Sequence, residues 1–243
     1  MIVSGLHPVL EAVRRRPRDI EWVLVDSERR DHRIRELKEA CRDSRVPLRY
    51  GDRALLDRTA GARHQGVAAR LAVRSFLPEP EAAAGEKGDR LLFVLDGIQD
   101  PHNLGAILRV AEAVGARVLV PERGSAPLSE AVSRSSAGAV ERVPVVRAGN
   151  MRRAIDRLKE DGFQVVGLDA GGDDLYGLDL TGDLALVLGG EGKGIRRLVR
   201  EGCDRLARLP MRGALGSLNV STAAAAAGYE ALRQRRISRK GLA

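Results

Sequence analysis

"LALVLGGEGKGI", residues 184–195, is an apolar run that opens after Leu188 into Gly189-Gly190-Glu191-Gly192-Lys193-Gly194. A short apolar run bounded by glycines reads as a buried strand that ends in a loop. Glycine loops at strand ends often cradle nucleotides, and two spacings test for that. A P-loop requires G-x-x-x-x-G-K-[ST], yet Lys193 is followed by Gly194, and the residue five before Gly192 is Val187. A dinucleotide loop requires G-x-G-x-x-G, yet Ile195 and Arg197 stand where the third glycine belongs. Glu191 would also repel a phosphate. The loop therefore suits a cationic or neutral group approached closely by backbone, which glycine permits because it has no Cβ. A tight turn needs the same residues, and this stretch alone does not choose between them.

The flanking sequence sets the loop in a sheet. Strand-like runs at 90–97, 117–122, 140–146, 163–170, 184–190 and 205–211 alternate with helical patterns at 103–116, 129–138, 150–162, 195–203 and 219–236. Such alternation predicts an α/β fold, a parallel sheet with helices on both faces. Ligands of these sheets sit at the carboxyl ends of the strands, where the glycine loop lies. Residues 6–16, 33–44 and 53–61 read as helices, and 20–26, 46–51 and 65–73 as strands, which makes a smaller α/β domain over 1–74. Between them "SFLPEPEAAAGEKGDR" (75–90) has two prolines, two glycines and no apolar period, the signature of a linker.

Charge is distributed unevenly. The 243-residue chain carries a net +8, and residues 1–74 hold 17 basic against 11 acidic residues. A basic excess concentrated in the smaller segment points to a polyanionic partner, with a merely solvated basic surface as the alternative. Cys41 and Cys203 have no C-x-x-C or Cys/His cluster around them, and the four histidines are scattered, so no metal site is expected. The start of the chain lacks a signal-peptide pattern and no run is long enough to span a bilayer, so a cytoplasmic protein is expected.

Three strand-end loops hold the unusual chemistry. In "DGIQDPHNLGAILRVAEAVGA" (96–116), Pro101 disfavours helix at Asp100, and Asn103 reads as an N-cap. Arg109 then falls inside an apolar, small-residue helix, either as a functional cation or as a partner of Glu112 three residues on. The second loop is the one quoted above. In "RLPMRGALGSLNVSTAAAAAG" (208–228), Pro210, Gly213 and Gly216 allow a sharp excursion before Ser217-Leu218-Asn219 leads into a helix.

In order, "D-G-x-x-D-P-x-N-x-G-A-I-x-R-x-A", "L-G-x-E-G-x-G" and "P-M-x-G-x-x-x-S-L-N-V-S" resemble the three motifs of the SpoU family of RNA ribose 2′-O-methyltransferases, in the SPOUT superfamily. The resemblance spans 91 to about 235. "SGLHPVLEAV" and "HQGVAA" resemble the substrate-binding domain of members that act on a guanosine of large-subunit (23S) ribosomal RNA. One departure is Val110, where the family often has Thr or Ser. The resemblance implies a C-terminal trefoil knot in the methyltransferase domain (91–243), which strand–helix alternation could not have shown and which connection rules argue against. It implies S-adenosyl-L-methionine as cofactor, held around Leu188, Gly189, Gly190, Leu209 and Leu218, and a homodimer in which both chains contribute to a site. It implies Arg109 as the catalytic residue, with Asn103, Glu191, Ser217 and Asn219 around it, and Arg109 and Arg134 as RNA contacts. The alternatives are a tRNA ribose methyltransferase of the same family, whose members usually lack this N-terminal domain, and a non-catalytic RNA-binding protein.

Overall fold

The computed structural model describes residues 1–72, 75–213 and 216–240, with side chains described through 238. Val73, the expected end of a strand, Arg74 at the expected domain boundary, and Ala214 and Leu215 within the third loop lie outside the described residues. The chain forms two compact units, residues 1–75 with 127–142, and residues 76–126 with 143–243.

The first unit is built from β1 (Ile2–Ser4), α1 (Leu6–Arg15), β2 (Ile20–Asp26), α2 (His32–Asp43), β3 (Leu48–Gly51), α3 (Arg53–Ala60) and β4 (Val67–Leu71). Its sheet has the order β1-β4-β2-β3, with β2 and β3 parallel and β4 antiparallel to both its neighbours. Alternation along β2 explains the layers. Val23 and Val25 face a core with Val9, Val13, Ile34 and Leu37 of α1 and α2. Trp22 and Leu24 face Leu56 and Ala60 of α3. Asp31 and Asp52 cap α2 and α3 through the N–H groups of Ile34 and Leu55, at 3.3 and 2.7 Å.

The second unit begins with β5 (Leu91–Asp96), α4 (Pro101–Val114) and β6 (Arg117–Pro121). Residues 127–142, which include α5 (Glu130–Ser135), then belong to the first unit. They are tied there by ion pairs, Arg16 to Glu141 at 2.7 Å and Arg142 to Glu11 at 2.8 Å. The second unit resumes with β7 (Val145–Ala148), α6 (Met151–Glu160), β8 (Gln164–Asp174), β9 (Leu184–Gly189), α7 (Arg197–Arg200), β10 (Arg205–Arg208) and α8 (Val220–Lys240). Its six strands run in the order β10-β8-β9-β5-β6-β7, and every pairing is parallel. One face packs Ala154, Ile155 and Leu158 of α6 and Val199 of α7. On the other, Gly228 of α8 leaves no room for a Cβ beside the Phe93 ring, 2.8 Å away. The parallel α/β sheet with helices on both faces is therefore as expected. The order reverses between β5 and β9, whose ends meet at Asp96 and Gly189, and the glycine loop leaves the sheet at this switch point.

Residues 76–90 do more than link. Leu77 pairs with the β7 backbone, its N–H on the Val145 carbonyl at 2.9 Å, and Ala82 is buried in the second core. Isolated apolar residues among prolines and charges carry no period, so the sequence pattern could not reveal this packing.

At the opposite end of the strands, Arg90 and Asp183 form a pair at 2.7 Å whose side chains are 6% and 9% exposed. Burial pushes the Asp183 carboxyl up, but hydrogen bonds from the Arg90 guanidinium and the Gly88 and Arg90 N–H groups outweigh it and bring it down to about 2. A depressed carboxyl stabilises the fold above its unfolded value, near 3.8, and that contribution is lost as pH falls through about 2. Asp183→Asn leaves Arg90 buried without its counter-charge. It is expected to destabilise the protein by about 3 kcal/mol in urea unfolding at pH 7. A difference between the two proteins that does not shrink between pH 4 and pH 2 would rule this reading out.

Candidate active site

The site is assembled from the loops after β5, β9 and β10. Asp96, the last residue of β5, is 1% exposed. Its Oδ2 accepts from the Arg196 N–H at 2.8 Å and its Oδ1 from Arg196 Nε at 2.7 Å. Its carbonyl accepts from the Gly190 N–H at 2.9 Å. One buried residue thus holds both ends of the glycine loop. The loop closes on itself through the Gly194 N–H and the Gly190 carbonyl at 3.0 Å, with Gly192 and Gly194 at φ 75° and 62°. These left-handed values favour glycine. A Cβ on Gly189 would overlap the Gly194 carbonyl carbon and the Ile195 nitrogen, and one on Gly190 would lie 2.6 Å from the Gly97 carbonyl oxygen. The glycines therefore let backbone pack on backbone, and the loop is more than a turn.

The start of α4 differs from the sequence reading. Asn103 is not the N-cap. Asp100 is, its Oδ1 accepting from the His102 N–H at 2.9 Å, and Pro101 is the first helical residue. Proline suits that position because the N–H it lacks would be unpaired there anyway. Asn103 is thereby released for other work. Its Nδ2 donates to Glu191 Oε1, and its Oδ1 accepts from Asn219 Nδ2 at 3.0 Å. Asn219 Oδ1 accepts in turn from the Ser221 N–H and hydroxyl, at 2.8 and 2.6 Å. A single polar chain, Glu191–Asn103–Asn219–Ser221, ties the three loops together.

These loops border a cleft of about 920 Å³, lined by residues 168–170, 188–194, 207–209, 211, 216–220 and 223. Leu188, Gly189, Gly190, Leu209 and Leu218 all lie in that lining, as do Glu191, Ser217 and Asn219. Arg109 does not. It is exposed on α4, and among the described residues its side chain makes no ion pair or hydrogen bond, with Glu112 or any other. Of the two sequence readings of Arg109, the pairing with Glu112 is not formed. Six residues on a helix turn through about 240°, so Arg109 leaves α4 on a different side from Asn103. Arg134 is exposed on α5 in the first unit and pairs with Glu130 at 3.2 Å. Asp96, Arg196 and Ser221 are not among the site residues expected from the sequence, although Asp96 reads there as the end of an apolar strand. The one available signal was an acid closing an otherwise apolar central strand.

Comparison with known proteins agrees with this geometry. Residues 90–229 match the model of the SpoU rRNA Methylase family, and residues 2–76 match the model described as RNA 2′-O ribose methyltransferase substrate binding. The 23S rRNA (guanosine-2′-O-)-methyltransferase RlmB of Pseudomonas aeruginosa is 42% identical over 238 residues, 96% of each chain. The SpoU methyltransferase AviRb from Streptomyces viridochromogenes superposes with a TM-score of 0.84 at 28% identity, over 98% of this chain and 90% of that one. The same protein has been solved in complex with AdoMet, at a TM-score of 0.82. Each of the three loops of the cleft falls inside the matched catalytic stretch, and the basic first segment falls inside the matched substrate-binding stretch. This chain belongs to the SpoU rRNA methylase family.

Proposed function

We propose that this protein transfers a methyl group from S-adenosyl-L-methionine to the ribose 2′-hydroxyl of a guanosine in 23S rRNA. The observation that carries the reading is the polar chain through Asn103, which joins the three family loops around one cleft. The cleft suits the cofactor. Its backbone at Gly189 and Gly190 packs too closely for a Cβ, its apolar wall includes Leu188, Leu209, Met211 and Leu218, and the Glu191 carboxylate lies in its lining. That set fits a cation without phosphate better than a nucleotide phosphate. When bound, S-adenosylmethionine supplies an electrophilic methyl on a sulfonium.

The chain's residues do the remaining work. Backbone groups near Leu188, Gly189, Gly190, Leu209 and Leu218 hold the cofactor, and Asn103, Glu191 and Asn219 fix the loops, with Ser217 beside them. Positioning of this kind supplies roughly 7–11 kcal/mol of a transfer barrier. The hydroxyl must also lose its proton. A guanidinium holds its proton too tightly to be a good base, so Arg109 serves as the cation that grips the phosphate beside the target ribose and stabilises developing alkoxide charge. Phosphate oxygen or water takes the proton. Arg109 is outside the lining of its own chain's cleft, and in this reading it acts in the cleft of a second chain of a homodimer. Residues 1–74 grip RNA, with Arg134 as a further RNA contact, and 91–243 carry the chemistry in the cytoplasm. The structure has no described helix long and apolar enough to cross a membrane.

A C-terminal trefoil knot belongs to the same reading. The chain runs out to the edge strand β10, yet Asn219 is back at the sheet's centre on Asn103.

The test is methyl transfer from labelled S-adenosylmethionine to 23S rRNA and to tRNA from cells lacking the gene. Label is expected as a single 2′-O-methylguanosine in 23S rRNA. Label confined to tRNA would favour the tRNA enzymes of the family, and no label with normal rRNA binding a non-catalytic protein.

A further inference from the structure

The first unit has a concave site of its own. A cavity of about 660 Å³, bordered by α1, the start of α2 and the turns holding Arg29 and Gln65, lies where β2 ends and β4 begins. Its floor is apolar, from Leu6 and Leu10, and its rim is cationic, from Arg14, Arg29 and Arg33 with His7.

The three arginines are not equivalent. Arg14 is paired with Glu36, the carboxylate in the lining, at 2.6 Å. Arg29 donates from Nε and Nη2 to Asp31, at 2.9 and 2.5 Å, and from Nη1 to the Gln65 carbonyl. Gly66, at φ 70°, brings the backbone so close that a Cβ would stand 2.5 Å from Arg29 Cδ. This clamp holds Gln65 at φ 50°, an uncommon left-handed value for a residue with a side chain. Gln65 Oε1 accepts from the Leu6 N–H at 3.3 Å, which leaves its amide donor without a partner among the described residues. Arg33 is exposed and likewise makes no ion pair or hydrogen bond among them. One free guanidinium, one free amide donor and an imidazole thus stand over an apolar floor, in a volume typical of a small-ligand site.

We propose that this cavity holds one unpaired nucleotide of the RNA substrate, its phosphate on Arg33 and its base over Leu6 and Leu10 beside Gln65 and His7. The inference rests on the reading of the protein as an rRNA methyltransferase. RNA is the occupant because the 1–74 segment is strongly basic and matches a substrate-binding model. The nucleotide is unpaired because an apolar floor can take only a base that has left its stack.

The experiment is filter binding of the full chain to unmethylated 23S rRNA across a salt series, beside methyl-transfer kinetics. Arg33→Gln is expected to weaken rRNA binding about tenfold at fixed salt and to lower the salt slope by about 0.7, the loss of one single-strand phosphate contact. Gln65→Ala weakens binding with the slope unchanged. Both keep cofactor affinity and kcat at saturating rRNA. Arg70→Gln, at the far end of β4 in a pair with Glu21, is the control and keeps rRNA affinity. Unchanged binding by Arg33→Gln, or an equal loss in Arg70→Gln, overturns the proposal. Guanosine monophosphate binding as tightly as rRNA assigns the cavity to a free nucleotide and overturns it too. Wild-type protein that binds rRNA through Arg33 without methylating it removes the enzymatic reading and leaves the cavity's assignment standing.

Discussion

Arg109→Ala is expected to lower kcat on 23S rRNA by about 1,000-fold, the upper end of what removing one transition-state donor costs. Its melting temperature and its affinity for S-adenosylmethionine should match those of the unsubstituted protein. Both halves follow from the structure. The side chain is exposed and makes no ion pair or hydrogen bond among the described residues, so truncating it breaks neither there. It lies outside the lining of its own chain's cleft, so the cofactor does not lose a wall. Its helix is otherwise apolar or small around it, at Ala106, Ile107, Leu108, Val110 and Ala111, and such a surface gains nothing from a cation until an anion arrives. Arg109→Lys keeps the charge and loses the bidentate fork, so it should retain some turnover, about 100-fold below the unsubstituted enzyme. Calorimetry with cofactor alone and single-turnover methylation with rRNA separate the two effects. A folded Arg109→Ala protein that methylates rRNA near the normal rate would falsify the role given to this residue. A lower melting temperature with normal turnover would point to the structural pairing with Glu112 instead.

The sheet was legible because its strands are buried on both faces. The stretches 91–95 and 184–188 have no polar positions to alternate with, and glycine or proline follows close behind. Elements that depend on distant partners were harder to see. β1 is three residues long and forms only because β4 offers it an edge. The strand expected over 163–170 stops short, yet residues 171–174 extend β8 because β10 lies alongside, with Gly172 so close to Leu206 that no Cβ fits. Residues 127–142 follow β6 directly in the chain but join the first unit through ion pairs with Arg16 and Glu11. Charge pairs over such separations leave no periodic trace.

The site divides in the same way. Its loops were found through their residue types, since glycine, asparagine and a lone arginine are unusual in apolar surroundings. The partners of those residues were not found. Asn103 has the composition of a cap and sits near a helix start, so local reasoning assigned it the cap, while the capping was already satisfied by Asp100. What Asn103 does instead depends on Glu191 and Asn219, which lie 88 and 116 residues away. The Asp96–Arg196 clamp spans 100 residues and is equally invisible to local pattern.

Gly189→Ala should abolish cofactor binding, with affinity reduced by at least about 100-fold, and with it all methyl transfer. The added methyl would stand inside the Gly194 and Ile195 backbone. Backbone cannot swing away as a flexible side chain can, so the loop from Gly190 to Gly194 must move as a body. That movement pulls the Gly190 N–H from the Asp96 carbonyl and shifts Glu191 away from Asn103, which loosens the polar chain linking the three loops. The core strand beneath is untouched, so the protein should still fold, with a melting temperature lowered by only a few degrees. Paired with Arg109→Ala, this variant also tests whether the site is shared between two chains. If Arg109 acts in the partner's cleft, a hybrid of one Arg109→Ala chain and one Gly189→Ala chain contains one complete site, made of the first chain's glycine loop and the second chain's arginine. Co-refolding the two inactive proteins in equal amounts should then restore about one quarter of wild-type turnover, because half the dimers are hybrids with one of two sites working. If Arg109 acts in its own chain, neither half of the hybrid has both parts, and the mixture stays as inactive as its components.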